Sequence, residues 1–243
     1  MKKLLIAAVL ASVSLSASAA DTIRFAMEAS YPPFEFMDST NKMQGFDVDL
    51  ANAMCKQMQA DCTFTNQAFD SLIPSLKFRR FDAVISGMDI TEDRQKQVAF
   101  TDAYYDNSAI FIAEKGKFAD LAALKGKRVG MQNGSTHQKF LMEKHPEITA
   151  VPYDSYQNAV LDLKNGRLDA VFGDTAVVNE WLKQNPNLST VGDKITDKTY
   201  FGTGLGIAVR QNNTELLTKL NDGLAKVKAN GTYQNLYSKW FQQ

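Results

Sequence analysis

The apolar positions of this chain change period along its length and mark out alternating strands and helices. Thr22 to Met27 (TIRFAM) predicts a strand that runs into Tyr31-Pro32-Pro33-Phe34, where two prolines end regular structure. From Gly45 the spacing turns helical, with Leu50, Met54 and Met58 on one stripe. Cys62 to Thr65 predicts a second strand. Asp70 is placed to cap a helix over Ser71 to Phe78, with Pro74 in its first turn. Asp82 to Ile85 predicts a short strand that empties into the small, polar loop Ser86 to Thr91. Thr91 then caps a short helix carrying Arg94. Two turns fall in Phe100 to Tyr105, and Ser108 to Ala113 predicts a strand.

The second half repeats the alternation. A short helix near Leu121 precedes a strand, Arg128 to Met131, and a turn from Asn133 opens a helix that runs to Lys144. A strand over Ala150 to Tyr153 leads to a helix from Ser155 to Lys164, stopped by Asn165-Gly166. The strand Asp169 to Phe172 ends at Gly173-Asp174, and Thr175 to Gln184 is helical. Gly202 to Val209 predicts a glycine-rich strand. Asn213 caps a long helix with Leu216, Leu217, Leu220, Leu224 and Val227 on one face, and a last helical turn carries Tyr233 and Trp240. Such alternation predicts an α/β fold, in which ligands sit beyond the carboxyl ends of the strands.

An internal echo sharpens that expectation. Leu76-Lys77…Arg80-Phe-Asp-Ala-Val84 is answered by Leu163-Lys164…Arg167-Leu-Asp-Ala-Val171, each reading as helix, basic turn and short strand. Two units are too few for a solenoid. They suit two lobes of related build, each presenting a strand end to a shared cleft.

The first nineteen residues read as an export leader: Lys2 and Lys3, an apolar run from Leu4 to Leu15, and the small-residue site Ala17-Ser18-Ala19. The apolar run is shorter than the roughly 20 residues needed to span a bilayer. Export places the protein outside the cytoplasm. The whole chain has 27 basic and 27 acidic residues, and loss of both leading lysines leaves a formal charge of −2. No basic field for nucleic-acid binding exists at that balance. Cys55 and Cys62 then lie in an oxidising compartment, spaced to tie a helix end to the following strand in a structural disulfide. Their spacing is not that of a redox C-x-x-C pair.

Catalytic signals are weak. Only His137 and His145 are available, without a nucleophile elbow, and two histidines eight apart match no usual metal spacing. No cofactor or metal is called for. What stands out is a set of binding groups. Arg94 offers a planar fork for a carboxylate, and Thr136 begins a helix whose free N–H groups attract anions. Asp174 at a strand end suits an ammonium group, Glu28 suits a cationic tail, and Tyr31 and Phe69 offer aromatic faces. Each also has an ordinary reading as a surface charge, helix cap or core residue. Together they match both ends of a zwitterion, whose burial without paired charges costs several kcal/mol or more.

The motifs YPPFE, GFDVDLANAMCK, FDSLIPSLKFRRFDAVISGMDIT, LKGKRVGMQNGSTHQKF, LKNGRLDAVFGD, YFGTGLGIAVR and DGLAKVKANGTYQNLY span the mature chain. It resembles the periplasmic solute-binding proteins of polar amino acid ABC transporters, closest to arginine-binding and lysine/arginine/ornithine-binding members. The resemblance implies a two-lobed type II periplasmic binding fold. One lobe is 20–107 with 207–243 and the other 108–206, with hinge crossovers near Ser108 to Ala113 and Tyr200 to Gly206. It implies a monomer that binds L-arginine, with lysine and ornithine as further candidates, and delivers it to a membrane permease.

By the same resemblance Arg94 grips the ligand carboxylate, surrounded by Ser86, Gly87 and Asp89, with Thr136 supplying a backbone N–H. Asp174 takes the α-amino group, Tyr31 and Phe69 enclose the side chain, and Glu28 meets its basic end. Asp89 stands where lysine/arginine/ornithine binders resemble a serine, and His137 where they carry glutamine. Asp89 is therefore expected to turn away or to pair with Arg94. The rival reading is an exported cyclohexadienyl-type dehydratase of the same fold, with Glu28, Asp174 or His137 as its only candidate acids.

Overall fold

The computed structural model describes residues 21–201 and 203–242; the leader and its cleavage site lie outside the described residues. The first sheet begins with β1 (Thr22–Met27). A small antiparallel sheet follows, made of β2 (Ser30–Tyr31), β3 (Glu35–Met37) and β4 (Met43–Gln44). Helix α1 (Phe46–Met58) buries Leu50, Ala51, Met54 and Cys55 and leads to β5 (Asp61–Asn66). Cys55 and Cys62 are joined as a disulfide between that helix end and that strand. A 3₁₀ turn over Phe69–Ser71 opens α2 (Leu72–Lys77), followed by β6 (Ala83–Val84), α3 (Glu92–Gln95) and β7 (Val98–Phe100).

The second sheet contains β8 (Ala109–Glu114), β9 (Arg128–Gln132), β10 (Thr149–Tyr153), β11 (Ala170–Asp174) and β12 (Leu188–Ile195). Helices α4 (Thr136–Lys144), α5 (Tyr156–Lys164) and α6 (Thr175–Gln184) separate its later strands. The chain then returns to the first sheet through β13 (Ala208–Arg210) and ends in α7 (Thr214–Ala229) and α8 (Thr232–Phe241). Both closing helices pack on α1.

The strand orders are β5-β1-β6-β13-β7 and β10-β9-β11-β8-β12. Each contains a parallel trio, β1, β5 and β6 in one and β9, β10 and β11 in the other, whose first strand pairs with the second on one side and the third on the other, and an antiparallel strand lies beyond the third. The two lobes therefore repeat one plan. β8 and β11 are buried on both faces, which explains their nearly unbroken apolar runs.

The echoed segments occupy equivalent places, α2 to β6 and α5 to β11. In the first, the Asp82 carboxylate accepts the backbone N–H of Arg24 (3.1 Å), and in the second Asp169 accepts that of Arg128 (3.0 Å). Each aspartate N–H returns a bond to the carbonyl of the same arginine, at 2.9 and 2.8 Å. The repeated aspartate thus stitches the third strand to the first in both lobes.

Four expectations need correction. Asp70 does not cap α2, because it already lies inside the 3₁₀ turn, and no side chain caps the helix at Ser71. The last helical turn is a full helix, α8. Of the strand expected over Gly202 to Val209, position 202 lies outside the described residues, and among the described ones the strand is Ala208–Arg210. Gly204 has φ +88°, and a Cβ there would lie 2.7 Å from the Tyr105 carbonyl oxygen, so close approach of the two inter-sheet connections replaces regular pairing. Strands β7 and β12 had not been expected: β12 is irregular in register and alternates poorly, with polar residues on its exposed face. Among the described residues no helix is long and apolar enough to cross a membrane.

Candidate functional site

The carboxyl ends of β1, β6, β9 and β11 meet between the two sheets. From the first lobe come Glu28, just past β1, and the loop Ser86 to Asp89, just past β6. Thr91 caps α3 by accepting the N–H of Arg94 (3.3 Å), and this turns the Arg94 side chain inward. Arg94 is buried, gives Nη1–H to the Asp89 carbonyl (2.9 Å), and lies over the Phe69 ring at 5.5 Å. Its Nη2 reaches across to the Gly134 carbonyl of the other lobe at 3.4 Å. Burial lowers the Arg94 pKa, and the carboxylates of Asp89 and Asp174 oppose that shift.

From the second lobe, Ser135 caps α4 by accepting the Gln138 N–H (3.2 Å), which leaves Thr136 and His137 facing the cleft from the first turn. The Thr136 hydroxyl donates to Asp89 Oδ2 at 2.7 Å. Asp174 occupies the cap position of α6 without capping it, so its carboxylate is free for the cleft. There it accepts the Tyr31 hydroxyl (2.6 Å) and Asn107 Nδ2 (2.7 Å). His137 Nε2 lies 3.1 Å from Asp174 Oδ1 but is not aligned for a hydrogen bond, while Nδ1 meets the Tyr156 hydroxyl at 2.9 Å.

Asn107, on the connection between sheets, donates to Asp89 Oδ1 (2.7 Å) as well as to Asp174. One amide therefore bridges two buried carboxylates. Burial first, and then the Asp174 charge, push Asp89 up to about 6, against the opposing pull of Arg94 and His137. The Asp89 carboxylate reaches Thr136 and Asn107 across the cleft, and Arg94 hydrogen-bonds only to its main-chain oxygen, so the two side chains form no ion pair.

All ten residues singled out from the sequence lie around this cleft, in arrangements the sequence did not specify. Tyr31 stacks on Tyr156 (5.2 Å between centroids) rather than facing Phe69, because its hydroxyl is drawn across to Asp174. Phe69 is half-buried against Arg94. Ser86 Oγ–H and Gly87 N–H point inward, to Glu35 and Asp47, at 2.9 Å each. Gly87 has φ +50°, and a Cβ there would crowd the Tyr31 ring at 3.1 Å. Glu28 is buried. Its carboxylate accepts Ser30 Oγ–H (2.5 Å) and Gln132 Nε2 (3.2 Å), and burial raises its pKa against those bonds.

Gln132, Asn107 and Tyr156 had been missed. Gln132 ends β9 as Glu28 follows β1, so the strand-end rule that pointed to Asp174 points to it too. Tyr156 carries no such signal, since it reads as an apolar position of α5. Outside the cleft, Asn133 donates to Asp70 (2.7 Å) and Lys139 pairs with Asp93, so the rim is also bridged between lobes.

Residues 23–243 match the model of the bacterial extracellular solute-binding proteins, family 3. The chain belongs to this family. Among its relatives, a putative ABC transporter arginine-binding protein 2 of Escherichia coli K12 is 70% identical over 100% of both chains. The ABC transporter arginine-binding protein 1 of the same organism is 64% identical, again over 100% of both. A solved Salmonella typhimurium periplasmic binding protein, described as showing the structural basis for high arginine specificity, superposes with a TM-score of 0.89. It is 53% identical and covers 91% of this chain and 100% of its own. These are binding proteins and not enzymes, so the dehydratase reading falls away. Family and relatives also place the chain outside the cytoplasm, in the periplasm.

Proposed function

We propose that this chain is the periplasmic receptor of an ABC importer and that it binds L-arginine between its lobes, with lysine and ornithine as weaker ligands. The carrying observation is Glu28, a buried carboxylate at a strand end whose partners Ser30 and Gln132 are both neutral. A buried carboxylate is costly unless a cation joins it. A guanidinium supplies that cation in planar, bidentate form.

Arg94 and the N–H groups at the start of α4 take the α-carboxylate, and Asp174 takes the α-ammonium. Tyr31, Phe69 and Tyr156 supply aromatic faces, Ser86, Gly87 and Asp89 form the loop around the ligand, and His137 orders the Asp174 side. The arginine-binding relatives support this reading. We further assign 20–107 with 207–243 to one moving unit and 108–206 to the other. They close on ligand by hinge motion, as periplasmic binding proteins do, and present the closed form to a membrane permease. The mature protein begins after Ala19 and is monomeric.

The test is calorimetry with arginine, lysine, ornithine, histidine and glutamine. Arginine is expected to bind most tightly. Glu28→Gln should weaken arginine by about tenfold or more while leaving a neutral amino acid unaffected. An unchanged arginine affinity overturns the assignment of Glu28. A panel in which only a neutral amino acid binds overturns the ligand.

A further inference from the structure

Behind the Ser86–Gly87 turn lie two carboxyl groups that the ligand reading does not use, Glu35 on β3 and Asp47 in the first turn of α1. They are 1% and 0% exposed. Glu35 Oε1 accepts the Ser86 hydroxyl, which itself accepts the Glu28 N–H at 2.9 Å. Asp47 Oδ2 accepts both the Gly87 N–H (2.9 Å) and the Tyr104 hydroxyl (2.8 Å). The other two oxygens, Glu35 Oε2 and Asp47 Oδ1, are buried with no hydrogen-bond partner, and the Asp47 charge acts on Glu35. If both were ionised, two bare acceptors would lie out of water under the same Ser86–Gly87 turn. One proton between them satisfies both.

The geometry also says which group holds the proton. Asp47 already receives two donors and sits at a helix N-terminus, where negative charge is favoured. Glu35 receives one. We propose that Glu35 is neutral and donates to Asp47, and that this carboxyl pair is the positioning element that holds the Ser86–Gly87 turn, and through it Glu28 and Tyr31, in shape for ligand binding. The hydrogen bonds form a ring: Ser86 to Glu35, Glu35 to Asp47, Gly87 to Asp47, closed by the Ser86–Gly87 peptide. Gly87 in turn lies under the Tyr31 ring, and Ser86 fixes the Glu28 main chain.

The titratable groups acting on the pair include Glu28 beyond β1, Tyr104 on the connection after β7, and Tyr233 on α8. Burial first, with the Asp47 charge next, raises Glu35 well above the ordinary carboxylate range, and burial pushes Asp47 up to about 6.

The proposal uses the arginine reading only for its affinity measurement. An infrared difference spectrum of wild type minus Glu35→Gln at neutral pH should show the carbonyl band of a protonated carboxylic acid, with no ligand present. Glu35→Gln keeps one donor and one acceptor, so it should hold arginine affinity within about threefold, while Glu35→Ala should lose about tenfold or more. As pH rises into the alkaline range, wild type should lose more affinity than Glu35→Gln, whose loss should be only that of deprotonating the ligand α-ammonium. Absence of the acid band, or a glutamine variant as weak as the alanine variant, overturns the pair. If the alanine variant does not fold, the band and the glutamine pH profile decide. Wild type that shows the band but does not bind arginine leaves the pair intact and sinks the ligand reading instead.

Discussion

The two strand ends that face the cleft are built alike and finished differently. Both β6 and β11 follow a helix and a basic turn, and both are stitched to a first strand by an aspartate, Asp82 or Asp169. β6 then stops after two residues and opens into a loop whose donors turn inward to Glu35 and Asp47, while Arg94 arrives from α3. β11 runs five residues and delivers Asp174 straight to the cleft at the head of α6. One lobe thus offers a cationic fork and the other a carboxylate. A repeated local code sets the scaffold, and the chemistry diverges only where the strand ends.

Breaking the second end should have the largest effect. Asp174→Ala removes the shared acceptor of Tyr31 and Asn107 and the charge beside His137, and should weaken arginine binding by roughly 3 to 5 kcal/mol in calorimetry. If affinity were unchanged, the two ends would not be chemical opposites.

Asp89, on the first end, tests the electrostatics between them. Its carboxyl is raised to about 6, so the folded protein holds this proton more tightly than the unfolded chain. The stability it contributes is complete below about pH 4 and is lost as pH rises through about 6. Denaturant titrations should therefore show wild type losing roughly 2 kcal/mol relative to Asp89→Asn between pH 4 and pH 7. A difference that did not vary with pH would mean that neither burial nor the Asp174 charge raises Asp89.

The smallest effect belongs to the shared scaffold. Asp82→Ala and Asp169→Ala should each cost about 1 to 2 kcal/mol of stability while leaving arginine affinity unchanged. Asp82→Ala should cost slightly more, because Asp82 also meets the Arg24 side chain and lies 3.8 Å from Arg210. An aspartate whose loss weakened binding more than folding would place the echo in the site itself.

Much of this was legible from residue order because it depends on neighbours in sequence. The caps at Thr91 and Asn213, the stripe of α1 and the repeated α–turn–β units follow from local hydrogen bonding and period. The cysteine pairing was legible because seven residues separate a helix end from the strand that follows it. The strand-end rule also brought Glu28 and Asp174 to notice, a helix start brought Thr136, and the planar fork of its side chain brought Arg94. Asp70 went astray because a one-turn change in helix start moves its side chain from cap to rim, where Asn133 meets it.

What the tertiary structure alone decided is pairing across long separations. Asn107 joins Asp89 to Asp174, Tyr31 reaches Asp174 and stacks on Tyr156, and Glu35 and Asp47 meet Ser86 and Gly87 from beneath. None has a periodic signature, since each partner sits on a different element. Sequence by itself determined which polar groups stand at the ends of strands and helices, because local backbone geometry places them there. Only the packing of the two lobes determined which of those groups meet, and the low dielectric of a buried cleft makes each such meeting change a charge.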